Sequence, residues 1–244
     1  MAPSTLRLLV GLLRSVFASA VLDRLVATTP VVRIKLPDSR RGRVVPLTIE
    51  QVQTLSENVA PRARAMIITQ AGLGLRLGEI LGLRVSDVNF LNRTVRIEFQ
   101  RDRETMGLVA PKTPRSRRTI PLPRVVADAL AAHLSEYSPA ADGGIFTGDR
   151  GKPYMHTYVH AKIIQPAVKA SGLPGGTTTH DLRHHFASVL LQAGESVVAV
   201  AEYLGHENAT LVLSTYGHLM LNSEDRMRQA IDEAWAPKLG AAAL

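Results

Sequence analysis

The chain contains no cysteine, which excludes disulfides, thiolate nucleophiles and cysteine-based zinc sites. That absence fits a reducing compartment, and the cytoplasm is the expected location. Acidic residues are also scarce: 21 Asp and Glu stand against 29 Lys and Arg, for a formal charge of +8. A surplus of that size favours a polyanionic partner, nucleic acid first and an anionic membrane second. Long apolar runs are few. The N-terminal "LRLLVGLLRSVFASA" is interrupted by Arg14, and its A-S-A, which mimics a signal-peptidase site, is followed closely by Asp23 and Arg24. Leu6, Leu9, Val10, Leu13, Val16, Phe17 and Ala20 recur at spacings of three and four, so the segment reads as one face of a helix. No stretch is expected to approach the ~20 apolar residues of a membrane span, and no membrane partner is expected. There are no internal repeats, and low complexity is confined to an Ala-rich tip. At 244 residues, 45% hydrophobic and 20% charged, the composition is that of an ordinary globular protein. The length suits one large domain, or one domain and a fragment of another.

Metal and nucleotide motifs are incomplete. His180 and His184 are four apart, as are His156 and His160, and such pairs on a helix can bind zinc. The carboxylate of H-E-x-x-H and a third ligand at recognisable spacing are missing. In "AGLGLRLGEILG", Leu77 stands where a dinucleotide fingerprint after Gly72 and Gly74 needs glycine. "GDRGKP" ends in Pro153 where a phosphate-binding loop needs Ser or Thr. No cofactor is expected.

The segment from Thr28 to Pro46 carries three prolines and five basic residues and reads as an extended, solvated linker. A helix opens after it, with Thr48 and Gln51 at capping-box spacing. Helical patterns run from about Arg62 to Gly82. The period then changes: Val95, Ile97 and Phe99 alternate, and "MGLVAPK" and "RRTIPLP" read as two further strands of an antiparallel meander. From Pro123 to Trp235 the signals are mainly helical, with a short "GIF" strand inside. The expected class is α+β, mainly α-helical, with a small antiparallel three-stranded sheet.

"TTTHDLRHHFAS" concentrates three of the chain's eight histidines beside an arginine. On a helical wheel, Leu182, Phe186, Val189, Leu190 and Ala193 form an apolar stripe, bordered by Arg183 and His185, while His180 and His184 face away. His180 and Arg183, one turn apart, can converge on one external group. A guanidinium fork with an imidazole beside it suits a phosphate, although a solvated helix face gives the same pattern. Elsewhere, Arg76 and Glu79 stand one turn apart. Lys112 lies between two strand patterns, followed by Arg115, Arg117 and Arg118. His206 precedes Tyr216 by ten residues. Each alone has a bland reading: a surface ion pair, a solvated basic hairpin, a helix cap at Gly205, a half-buried tyrosine. Together they supply the groups needed for metal-free phosphoryl transfer.

From about Val44 to Leu219 these segments resemble the catalytic domain of the tyrosine recombinases, the phage-integrase family. "GLRLGE" matches the segment bearing the first arginine, Arg76. "PKTPRSRRTIPL" matches the β-hairpin lysine, Lys112, and "HDLRHHFAS" the His-x-x-Arg box, His180 and Arg183. "LGH" matches the second histidine, His206, and "TYGH" the nucleophile, Tyr216. The six come in the family's order. The resemblance implies that Arg76, Arg183 and His206 stabilise a scissile phosphate and that Tyr216 attacks it, giving a 3′-phosphotyrosyl bond and a free 5′-hydroxyl. It further implies that His180 is a general base or orienting group and that Lys112 protonates the leaving oxygen. Glu79 is expected to support Arg76 without being catalytic, and Arg115, Arg117 and Arg118 to contact DNA. Tyr203 is the next candidate nucleophile.

The expected partner is double-stranded DNA, with self-association into a tetramer in the synapse. The segment "SEDRMRQAIDEAW" would then either dock on a neighbouring protomer or pack back on its own domain. Residues 1–46 are expected to hold only the last helix and linker of a shortened core-binding domain, and 47–244 the catalytic domain. A site-specific recombinase or integrase is the function implied. A type IB topoisomerase, or an integrase remnant that binds DNA without acting on it, are the alternatives; relaxation, recombination and gel-shift assays separate the three.

Overall fold

The protein is seen in a computed structural model that describes residues 3–37, 43–111, 113–220 and 223–235. Lys112, expected in the site, lies outside the described residues. The chain divides into two compact units, Met1–Arg43 and Val44–Leu244.

The first unit is built on α1 (Pro3–Leu22), where leucine and valine at helical spacing meet no proline after the first turn. Leu9, Leu13 and Val16 are exposed. Its window Thr5–Leu22 has a mean hydropathy of 1.7 and is 6% buried, so by length and composition the helix can cross a membrane. This corrects the expectation that no such stretch exists. Arg7 and Arg14 are the two charges in the window, and two charges do not offset the leucines and valines around them.

In the second unit, α2 (Ile49–Glu57) starts at the expected capping box: Thr48 Oγ1 accepts from Gln51 N at 3.2 Å, and Gln51 Oε1 accepts from Thr48 N at 2.9 Å. The next helical stretch is two helices, α3 (Pro61–Leu73) and α4 (Leu77–Leu81), separated at Gly74. The strands follow as β1 (Val88–Asn89), β2 (Thr94–Ile97), β3 (Gln100–Arg101), β4 (Leu108–Val109) and β5 (Arg118–Pro121). The antiparallel sheet has three strands, as expected, but in the order β1-β2-β5, with Val95 opposite both Val88 and Ile120. The "MGLVAPK" strand is not part of it. That segment supplies β4, which pairs with β3 in a separate hairpin, because β2 ends at Ile97 and the chain turns back before reaching the sheet again at Arg118. The "GIF" segment forms no strand: its Gly144 makes an isolated bridge with Arg84, and Thr147 just after it makes another with Pro153.

Helices complete the unit: α5 (Arg124–Glu136), α6 (His156–Tyr158), a π-helical turn Val159–Ile164, α7 (Gln165–Ala170), α8 (Thr179–Gln192), α9 (Val197–Leu204), α10 (Thr210–Tyr216) and α11 (Ser223–Trp235). Helix α8 begins with a capping box in which Asp181 Oδ2 accepts from Thr178 N at 2.8 Å, and Thr178 Oγ1 accepts from His180 N at 3.2 Å. Helix α11 leaves Met227, Ile231 and Trp235 exposed.

Two apolar cores meet along α8. Leu182 belongs to the larger one, formed with α2, α3, α5, α7 and the three-stranded sheet. One turn later Phe186 belongs to the smaller one, with Leu191, Val200, Leu204, Val212 and Tyr216. Arg183 lies at the junction. The wheel had put it on the border of the stripe, yet it is 2% exposed. Helices α3, α9 and α10 all pack on α8, so the border of its apolar stripe at Arg183 is covered as well as the stripe.

Candidate active site

Burying a guanidinium requires acceptors for its donors. For Arg183 they are backbone carbonyls at helix ends: Nη1 donates to Gly74 O at 2.7 Å and Nη2 to Leu204 O at 2.6 Å. These belong to the C-termini of α3 and α9, where carbonyls lack intrahelical partners and the helix dipole is negative. Gly74 and Gly205 end the two helices in the left-handed conformation, at φ 63° and 65°, which turns the chain away and leaves the carbonyls accessible. The end of α9 holds two further arginines. Arg76 Nη2 donates to Gly205 O at 3.2 Å, and Arg118 Nε to Tyr203 O at 2.6 Å.

Three guanidiniums this close need an anion. Glu79, 1% exposed, supplies it. Its Oε1 accepts from Arg76 Nη1 at 2.7 Å and its Oε2 from Arg118 Nη2 at 2.9 Å, while the Arg76 backbone N–H adds a bond at 3.0 Å that caps α4. Burial pushes the Glu79 carboxyl up, but the charges and hydrogen bonds of Arg118 and then Arg76 outweigh it and hold the group below the ordinary carboxylate range. Burial, then Arg76, pulls Arg183 down to about 9, so it stays charged at neutral pH. Three cations and one anion leave a net positive centre.

His206 sits beside it, with Nε2 at 2.9 Å from Arg183 Nη2. Arginine has no lone pair to offer, so the imidazole accepts and its proton resides on Nδ1. Burial, followed by the charges of Arg183, Arg76 and Arg118, depresses His206 to about 4 and keeps it neutral. Arg76, Glu79, Thr113, Ser116, His206 and Asn208 line a cavity of about 420 Å³. A larger cavity, about 700 Å³, lies among residues 58–63 and 148–166 and includes none of these groups.

Tyr216 closes α10, is 3% exposed, and belongs to the smaller core. Burial raises its phenol to about 12, against the opposing charge of Arg183. Its hydroxyl lies 2.6 Å from His184 Nδ1. His180 meets the His184 ring edge to face, with centroids 4.6 Å apart, and stands exposed near the start of α8. The surrounding protein, then Arg183, holds His180 below the ordinary histidine value.

The three clustered histidines therefore have three environments. His180 is at the surface, His184 holds the tyrosine, and His185 is buried with Nδ1 2.7 Å from Leu47 O, which ties α8 to the start of the unit. Among the sequence-chosen residues, the structure brings Arg76, Glu79, Arg183 and His206 into one network, with His180 on the same helix as Arg183 and Tyr216 of α10 meeting that helix at His184. The basic residues after Lys112 separate. Arg117 is exposed, and Arg115 is exposed and donates to the Glu207 carbonyl. Arg118 differs from the expected DNA contact: its side chain is 4% exposed and its donors engage Glu79, Ser116 and Tyr203. Sequence reasoning passed over His184. Its i,i+4 spacing from His180 was a signal, but one weighed only against zinc binding, for which the carboxylate and third ligand are missing.

The family model for the phage integrase family matches residues 46–222, which contain every one of these groups. The chain belongs to the phage integrase family. A tyrosine recombinase of Thermosipho africanus is 27% identical over 220 residues, covering 88% of this chain and 72% of that protein. The tyrosine recombinase XerD of Corynebacterium glutamicum is 28% identical over 200 residues, covering 80% of this chain and 61% of that one. Among solved structures, the Tn1549 transposon integrase in complex with transposon right end DNA superposes with a TM-score of 0.75 at 27% identity, covering 92% of this chain and 78% of the other. A second Tn1549 integrase structure, in complex with a circular intermediate DNA, gives a TM-score of 0.82 at 24% identity, over 95% and 80% of the two chains. The mainly helical fold with its small antiparallel sheet is thus the fold of an integrase catalytic domain.

Proposed function

We propose that this integrase-family chain cuts and rejoins double-stranded DNA as a site-specific recombinase, through a 3′-phosphotyrosyl intermediate at Tyr216 and without metal or ATP. The observation that carries the reading is the cationic network that Arg76, Arg183 and His206 form beside the Tyr216 helix. Attack on a phosphodiester builds negative charge on its non-bridging oxygens, and fixed guanidinium forks stabilise that charge in place. Arg183 has three of its guanidinium donors held by protein, so binding phosphate through the rest needs little reorganisation. His206 adds a hydrogen bond once its Nε2 carries the proton, and His180 orients the phosphate from the exposed end of α8. Lys112 protonates the 5′-oxygen, a role that rests on the resemblance. Glu79 and Arg118 hold Arg76 in position. The covalent link conserves the energy of the broken phosphodiester, so rejoining to a new strand needs no ATP.

The relatives and solved structures named above are recombinases and integrases, so the topoisomerase and inactive-remnant alternatives are not favoured. The solved neighbours are DNA complexes, which supports DNA as the partner here. The exposed Met227, Ile231 and Trp235 of α11 support docking on a neighbouring protomer in a multimer assembled on DNA. Action on DNA supports a cytoplasmic location. A nicked suicide substrate tests the reading. Wild type accumulates a covalent protein–DNA band that EDTA leaves unchanged, and Tyr216→Phe binds DNA without forming it. A band that survives in Tyr216→Phe moves the nucleophile, with Tyr203 next; loss of the band in EDTA contradicts the metal-free chemistry.

A further inference from the structure

We propose that His184, not His180, is the general base of strand cleavage, taking the Tyr216 proton through the Nδ1 that the hydroxyl contacts at 2.6 Å. The inference rests on the phosphotyrosyl reading above and names the group that activates its nucleophile. As the Tyr216 oxygen bonds to phosphorus, its proton moves to His184 Nδ1. The bond from phosphorus to the 5′-oxygen breaks, and that oxygen takes a proton from the general acid. On rejoining, the 5′-hydroxyl returns its proton to the group that supplied it as its oxygen bonds to phosphorus, and the imidazolium returns its own to the departing tyrosine oxygen.

Geometry carries the assignment. Among the described residues, the Tyr216 hydroxyl makes its side-chain hydrogen bond to His184. Adjacent positions on a helix diverge by ~100°, so Arg183 is directed at the ends of α3 and α9 while His184 is directed at α10. The hydroxyl of a neutral phenol donates to the unprotonated nitrogen, which places the ring proton of His184 on Nε2. The ionisable groups around His184 are His180, Asp181 and Arg183 on its own helix and Tyr216 on α10. Partial burial, followed by His180 and Arg183, holds its pKa below the usual histidine value against the pull of Asp181, so the base form is present at neutral pH. The phenol is far less acidic than this imidazolium. The proton must therefore move with the forming bond instead of before it, which is the circumstance in which a positioned base accelerates a reaction. His180, one turn away with its ring 4.6 Å from that of His184, leads from the buried pair to solvent and suits proton exchange with the exterior.

The test is single-turnover formation of the covalent adduct on a nicked suicide substrate, with unfolding midpoint and DNA affinity measured in parallel. His184→Gln keeps an acceptor for the hydroxyl but no base; His184→Asn is the second variant should the first fail to fold. The expected result is a roughly 100-fold slower adduct with binding and midpoint unchanged. A difluorotyrosine placed at position 216, whose phenol is more acidic, should recover about tenfold or more in the variant and less in wild type. A substrate with a 5′-bridging sulfur, which needs no acid for departure, should recover none of the loss. A variant as fast as wild type overturns the inference. So does a slow variant that difluorotyrosine does not help or the sulfur substrate restores. Absence of any adduct in wild type, or its persistence in Tyr216→Phe, overturns the phosphotyrosyl reading and the inference with it.

Discussion

Glu79 stands among three guanidiniums and joins two of them, so removing its charge leaves Arg118 buried without a counter-ion. Breaking a buried pair in this way costs about 3–5 kcal/mol, and Glu79→Gln should lower the unfolding free energy toward that range in a denaturant titration. A loss below about 1 kcal/mol, the size of an exposed pair, would show that solvent screens the network. The histidines add a pH dependence. His206 is depressed to about 4, and His180 and His184 lie below the ordinary value. A depressed group bound neutral stabilises the fold above its unfolded pKa, and that stability is lost as the pH falls through the folded value. The melting temperature should therefore fall between about pH 6.5 and pH 4, and less steeply in His206→Gln. An identical profile in the variant would contradict the assigned burial. At this scale the clustering was legible: Arg76, Glu79, Arg183 and His206, picked out by residue type and spacing, fall in one network. The roles of His184 and Arg118 were not. A wheel gives an angle about one helix axis, and it cannot say that α10 brings a tyrosine to that angle or that Glu79 reaches a strand residue 39 positions away.

Helix ends organise the site, and glycine makes those ends possible. At Gly74 a Cβ would come within 2.4 Å of Phe186 Cδ1 at a φ of 63°, so the position excludes side chains both by space and by conformation. Gly74→Ala should cost more than about 1 kcal/mol in denaturant titration and should also slow adduct formation, since the Gly74 carbonyl anchors Arg183. Unchanged stability would mean that the α3 end relaxes freely. The capping box at Thr48 and the helices on either side of the sheet could be read in advance because their signals are local. Strand partnership could not. "MGLVAPK" has strand character, and β4 is a strand, but which edge it joins depends on where β2 ends and how the chain turns, and periodicity carries no information on either. Likewise Arg183 was placed at a border because only its own helix was in view, whereas the ends of α3 and α9 cover it.

At the scale of the whole chain, the +8 charge and the exposed Arg115 and Arg117 point to phosphate contacts as the source of much of the affinity. Binding to duplex DNA should weaken steeply from low to moderate salt, with log K linear in log salt, and Arg117→Ala should reduce the slope by about 1. Equal affinity at both ends of the range would contradict an electrostatic grip. The same charge surplus pointed from composition to a polyanionic partner, with nucleic acid ahead of an anionic membrane, and the motifs were needed to choose between them. The chemistry needed the ordered motifs, and the base of the reaction needed the fold. The most direct measurement of the central claim is peptide mapping by mass spectrometry of the trapped protein–DNA adduct after nuclease digestion. The account predicts a nucleotide joined through its 3′-phosphate to Tyr216; a 5′-phosphate linkage, or a nucleotide on any other residue, would contradict it.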